Sequence, residues 1–477
     1  MQELTTMQQL TALINDLSGI VWGPFVLMPL LLGTGVYLLF GMRCLQLRQL
    51  GPAFKNMYKS ITHKGEEGEI SPFEALMTGL AGTIGTGNIV GVATAIAIGG
   101  PGAIFWMWVT GFLGMGIKYC EATLAVKYRE VSPDGSYVGG PMYYIKNGLG
   151  RKWLPLAVFF AIAGAIASFG IGNLTQANAI ATNLVSAFNI ELIEYGDARI
   201  PGAWVIAILL FVFASIVIVG GVKRIGRVAG LVVPVMALVY ILLGLYALVL
   251  NYEKVPGLFS LIFTSAFGIG SAAGGLTGAA IKRTIQMGMA RGMFSNEAGL
   301  GSSPIAHAAT TETNPVKQGF LGMIDPFLDT LVVCTVTALI ILISGEWQGD
   351  GANLSAGTLT ARSFHYLFPL FGQHVVAFAL MFFAFTTFMA WSVYGDRCIR
   401  FLFGDKWSMP YRMLFCLAVP IGAVTELDFA WAFADLANGL MAIPNLIALL
   451  FLSPIVFKMT KEFLAEQEKE KRLQSNK

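Results

Sequence analysis

Gly82-Thr83-Ile84-Gly85-Thr86-Gly87-Asn88-Ile89-Val90-Gly91 sits inside an apolar run from about Phe73 to Gly100. Such a run is long enough to cross a bilayer. Its glycines make a continuous helix a poor choice, since each costs about 1 kcal/mol relative to alanine in a helix interior. In hydrocarbon, loosened backbone survives only where it is buried in protein or lines a cavity. Its freed amides and carbonyls are then available to ions and polar solutes. A second stretch, Gly268-Ile269-Gly270-Ser271-Ala272-Ala273-Gly274, repeats the G-x-G-x-x-x-G pattern of Gly85 to Gly91. Two glycine-interrupted spans in corresponding positions of two halves point to a transported-solute site. Either stretch alone reads more simply as tight helix packing. A dinucleotide fingerprint would need a strand and a βαβ unit, which these long apolar flanks oppose.

The composition agrees with a membrane setting. The chain has 477 residues, 55% hydrophobic and 12% charged, with mean hydropathy +0.67. Apolar runs of about 20 residues recur, which marks an all-α polytopic membrane protein. Met1 to Gly19 is polar and carries no lysine or arginine, so no cleavable signal peptide is expected. The five cysteines are scattered without metal or disulfide spacing and read as small core residues. No nucleic-acid partner and no cofactor are indicated. Four histidines without a catalytic or zinc pattern give no enzyme signal.

Eleven spans are expected, near 21–41, 73–98, 102–127, 154–185, 203–221, 227–250, 257–281, 320–344, 375–396, 411–426 and 430–457. Basic residues fill alternate loops: 43–64, the segment from Lys118 to Lys152, 223–227, 282–291 and 397–412. By the positive-inside rule these are cytoplasmic, with the N-terminus outside and the C-terminus inside. Residues 1–72 then hold an outside segment, the first span and a loop. Residues 73–251 and 252–457 form two five-span halves of opposite orientation, and 458–477 is a charged tail, read as helical. Each half opens with one broken helix.

Three longer motifs carry a family resemblance. Gly99-Gly100-Pro101-Gly102-Ala103-Ile104-Phe105-Trp106-Met107-Trp108, continuing to Gly114-Met115-Gly116-Ile117-Lys118, resembles the signature of the alanine or glycine:cation symporter family. Met289 to Gly301 and Gly79 to Asn88 are similar to the same family. The resemblance covers nearly the whole chain. It implies sodium-coupled uptake of alanine or glycine on the bacterial leucine-transporter fold, with one extra N-terminal helix, in the cytoplasmic (inner) membrane. Sodium is then cargo. The oligomeric state stays open, a monomer being one reading.

By this resemblance, amides near Thr86 and Gly87 hold the substrate carboxylate. The Thr83 carbonyl and Asn88 side chain contact one sodium ion, joined by Thr264. The Ile84 carbonyl contacts a second, joined by Phe383, Thr386 and Thr387. Phe267, Gly268 and Ile269 line the side-chain pocket. Thr387 is counted with the substrate as well.

Other candidates come from the residues. Gln176 lies in a polar patch of an apolar span, where its amide could accept from a substrate ammonium or bond a neighbouring helix. Trp391 lies one turn past Thr387 on the same face, as a cap on the pocket or an interfacial anchor. Asp325 and Asp329 are an i,i+4 pair, either linked to Arg283 or Arg291 or binding a cation. Glu74 reads as an interfacial residue, and Arg291, Asn296, Glu297 and His307 as a gate or cytoplasmic loop. A channel would want a repeated filter and an enzyme convergent reactive groups; neither stands out. Another small solute on the same fold is the nearer alternative.

Overall fold

The computed structural model describes residues 6–23, 25–62, 69–195, 198–268, 278–348, 356–425 and 428–475. Helices dominate them. The strands named among these residues form two short antiparallel hairpins, Glu130–Val131 with Tyr137–Val138 and Leu192–Tyr195 with Ala198–Pro201.

Among the described residues, seven helices are long and apolar enough to cross a bilayer, and a bent pair, Pro72–Thr83 with Gly87–Gly99, makes an eighth. Three shorter apolar helices accompany them: Leu27–Gly41, Gly202–Ile218 and Val255–Phe267. Leu27–Gly41 has 15 residues, or about 22 Å at the α-helical rise, short of a hydrocarbon core of about 30 Å. The difference from the eleven expected spans lies in these three helices. The helix Gly221–Leu250 exposes Leu231, Val235, Leu238 and Leu242, the outward apolar face that suits lipid.

The first broken helix begins at a capping box. Ser71 Oγ accepts the Glu74 amide, and Glu74 Oε2 accepts the Ser71 amide at 2.8 Å. Such a cap is worth about 1 kcal/mol, so Glu74 has a local structural task. Near the second glycine stretch, the helix Val255–Phe267 stops at Gly268, whose φ of +67° favours a residue without a Cβ. The next described helix starts at Gly278. Ile269 and the rest of that stretch lie outside the described residues.

At the N-terminus, Thr6–Val21 is a helix, where a polar outside segment was expected. Its end is pinned to the last helix. Ser18 Oγ donates to Asp435 Oδ2 at 2.8 Å, and the Trp22 indole donates to the Asp435 carbonyl at 3.0 Å. That last helix runs from Asp428 to Ser475 and includes the charged tail.

Candidate functional site

The regular α-helical bonding of the first broken helix ends with the Ile84 amide on the Leu80 carbonyl at 2.8 Å. Ile84 is extended, with φ −73° and ψ 91°. The chain resumes through π turns at Gly87–Gly91, a feature common at functional sites. The two half-helices meet at 48°. Asn88 spans the break: its Oδ1 accepts the Gly85 amide at 2.8 Å.

Helix Gly372–Phe403 closes one side of the break. Thr387 Oγ1 donates to the Ile84 carbonyl at 3.4 Å and to its own Phe383 carbonyl at 3.0 Å. The approach is close enough that a Cβ on Gly85 would lie 2.3 Å from Thr387 Oγ1. Thr386 Oγ1 turns instead to the Phe383 carbonyl at 2.9 Å and to the Met236 sulfur at 3.7 Å. Of the two threonines, Thr387 is the one whose hydroxyl reaches the break. Phe383 is buried beneath them.

Gln176 approaches from a second side. Its Nε2 donates to Thr86 Oγ1 at 3.4 Å and to the Ile171 carbonyl at 3.1 Å. Its Oε1 is buried with no hydrogen-bond partner among the described residues. An unmet buried acceptor costs about 1–3 kcal/mol.

Helix Pro315–Ser344 brings two carboxylates to the third side. Asp325 Oδ1 accepts from Thr83 Oγ1 at 2.8 Å, and its Oδ2 pairs with Lys118 Nζ at 3.0 Å. Both ion-pair side chains are fully buried. Asp329 accepts from Asn88 Nδ2 at 2.6 Å, Thr330 Oγ1 at 2.7 Å and Ser295 Oγ at 3.0 Å. These partners are all neutral. Two expectations are corrected here. Asp325 pairs with Lys118, and not with Arg283 or Arg291. Lys118, counted with the cytoplasmic loop, sits in the interior of helix Ala103–Lys127. A lone lysine among apolar residues was the available signal for it.

Trp391 is fully buried and not interfacial. Its indole donates to Glu297 Oε1 at 2.9 Å. A Cβ on Gly172 would lie 2.3 Å from the Trp391 Cβ, so that glycine makes room for the tryptophan. Asn296, Glu297 and His307 are buried too, which removes them from a solvated loop. Ser295, on Asp329, was not foreseen; nothing local in the sequence marks it.

Other expected residues stand apart. The Thr264 hydroxyl bonds its own helix, to the Ser260 carbonyl at 2.8 Å. The Phe267 ring packs on Phe105 at 4.9 Å and Trp106 at 6.0 Å and is half-exposed. Among the described residues, neither makes a hydrogen bond or ring contact with the 83–88 break. Gly268 ends its helix, and Ile269 is outside the described residues.

At one end of the bundle, Arg397 pairs with Glu69, and Arg400 pairs with Asp405 at 2.6 Å and Asp134 at 2.9 Å. Partial burial raises the Asp134 carboxyl, but bonds from Ser136 and Arg400 outweigh it and hold the group at about 2. These arginines therefore clamp loops to the helix end.

The sequence model of the sodium:alanine symporter family matches residues 7–477. The sodium/alanine symporter AgcS of Methanococcus maripaludis is 46% identical over 455 residues, covering 95% of this chain and 97% of the relative. The probable sodium/glutamine symporter GlnT of Bacillus subtilis is 36% identical over 464 residues, covering 97% and 92%. Among solved structures, MhsT in complex with L-phenylalanine aligns with TM-score 0.53 at 15% identity, covering 83% of this chain and 99% of that one. This last likeness shows the fold alone: that of the leucine-transporter class, with its broken helices. A symporter carries solutes across a membrane and is not an enzyme. The chain belongs to the sodium:alanine symporter family.

Proposed function

We propose that this chain imports alanine, and glycine, together with sodium, at the break between Thr83 and Asn88. The observation that carries this reading is the buried Gln176 Oε1, without a partner among the described residues and on the side chain that reaches Thr86. A substrate ammonium is a donor that would satisfy it. The substrate carboxylate would lie at the start of the half-helix Gly87–Gly99, near the Thr86 and Gly87 amides, where the helix dipole favours negative charge.

Sodium is a hard cation and takes oxygen ligands. For one ion, the Thr83 carbonyl and Asn88 stand beside Asp329, whose carboxyl meets no lysine, arginine or histidine at ion-pair distance among the described residues. Asp329 is therefore added to that site. For a second ion, the Ile84 and Phe383 carbonyls and the Thr387 hydroxyl already face one another. Thr264, Phe267 and Ile269 remain part of the proposed site by the family resemblance alone. Trp391 and Thr387 limit the side chain to a small one. One chain carries every group named.

The basic loops support an N-terminus outside and a C-terminus inside the cytoplasmic membrane. The halves 73–251 and 252–457 would rock against each other around the fixed site. Reconstituted vesicles with an inward sodium gradient should accumulate radiolabelled alanine. Replacing sodium by potassium or choline should abolish accumulation. Full accumulation after that replacement, without a proton gradient, would contradict sodium coupling.

A further inference from the structure

Helix Gly278–Asn296 ends in an unusual way. The residue after it, Glu297, has φ +53°, the left-handed conformation that normally goes to glycine at a helix C-terminus. A non-glycine residue there is strained by roughly 1 kcal/mol. Its side chain is also a carboxylate at 4% exposure. Both features are unfavourable unless the side chain holds something.

What it holds is specific. Glu297 Oε1 accepts the Trp391 indole N–H at 2.9 Å, and Oε2 accepts Ser302 Oγ at 2.5 Å. Both oxygens are used. The indole ring cannot turn without losing its bond to a buried carboxyl oxygen, and a buried N–H left without an acceptor is costly. On its other side Trp391 abuts Gly172, in the π-turn segment Gly170–Leu174 that leads into Gln176. One turn back on its own helix is Thr387, on the Ile84 carbonyl. The tryptophan thus stands between the carboxylate and the elements around the break.

We propose that Glu297 is a positioning residue for substrate size: through the indole bond it fixes Trp391 as the wall that admits alanine and excludes larger side chains. This rests on the reading of the Thr83–Asn88 break as the substrate site. Glu297 does not touch the substrate. It also joins the end of the helix after the second glycine stretch to helix Gly372–Phe403, so the wall is set by contact between two parts of the fold.

The test uses the full chain in vesicles with an inward sodium gradient. Uptake of labelled alanine is competed with graded 2-aminobutyrate and valine. Glu297→Ala should shift the competitor-to-alanine ratio toward the larger amino acids by about tenfold, the scale of one methylene in a shaped pocket. Glu297→Gln should stay near wild type, because its amide oxygen still accepts from the indole. Trp391→Phe keeps a ring but has no N–H, and should shift the ratio as Glu297→Ala does. The double variant should shift it no further, since the two act through one bond. If Glu297→Ala does not insert, Glu297→Gln and Trp391→Phe decide the matter. A wild-type ratio in Trp391→Phe, or a relaxed ratio in Glu297→Gln, overturns the inference. Wild-type vesicles that take up no alanine would instead overturn the site reading beneath it.

Discussion

Asp325 and Asp329 lie one turn apart on the same helix, both fully buried, and their surroundings differ. Asp325 faces Lys118 and the Thr83 hydroxyl. Asp329 faces Asn88, Ser295 and Thr330, which are neutral. A carboxylate in such an interior needs a counter-charge or a proton. For Asp325 the protein supplies the counter-charge permanently. For Asp329 it does not, and the side chain stands beside the break where the ion is proposed to bind. One acid is thereby structural, fixing the half-helix Pro72–Thr83 to its neighbours. The other is the one proposed to meet a mobile cation.

The comparison breaks most visibly at Lys118. Lys118→Met should leave Asp325 as an unpaired buried charge and lower stability by about 3–5 kcal/mol. Asp325→Asn in the same chain should restore much of the loss, because the asparagine oxygen still accepts from Thr83. Thermal unfolding of the purified single and double variants, followed by light scattering or fluorescence, checks this. A single variant as stable as wild type would remove the permanent pairing from the argument.

A smaller effect sharpens the ion side. Thr387→Val removes the hydroxyl that reaches the Ile84 carbonyl, while Thr386→Val removes one turned to Met236. Thr387→Val should weaken apparent sodium affinity by several-fold, within the 0.5–1.5 kcal/mol range of one hydrogen-bonding group. Thr386→Val should change it less. Sodium titrations of alanine binding distinguish them, and the reverse order would reassign the ligand.

Much of this arrangement is legible in the sequence, for definite reasons. The break at Gly85 and Gly87 is written in residues that weaken a helix, and Ser71 with Glu74 spells its start. Gln176 and Thr387 are polar residues in apolar spans, where burial makes polarity conspicuous. The ion pair was missed because Lys118 was counted with the loop lysines that follow it, although it lies within helix Ala103–Lys127. The Trp391–Glu297 bond joins residues 94 positions apart, and no local pattern marks such a pairing.

The central claim is that sodium and alanine bind at one break, so each must raise the affinity of the other by the same factor. Alanine affinity of the purified chain should be measured across a sodium series, and sodium affinity with and without alanine. In wild type the two factors should be equal and well above one. In Asp329→Asn the sodium curve should move by about tenfold or more, the equivalent of 1.4 kcal/mol, with alanine affinity recovering at high sodium. Alanine binding indifferent to sodium in wild type, or superimposable sodium curves in the two proteins, would contradict a shared site at Thr83–Asn88.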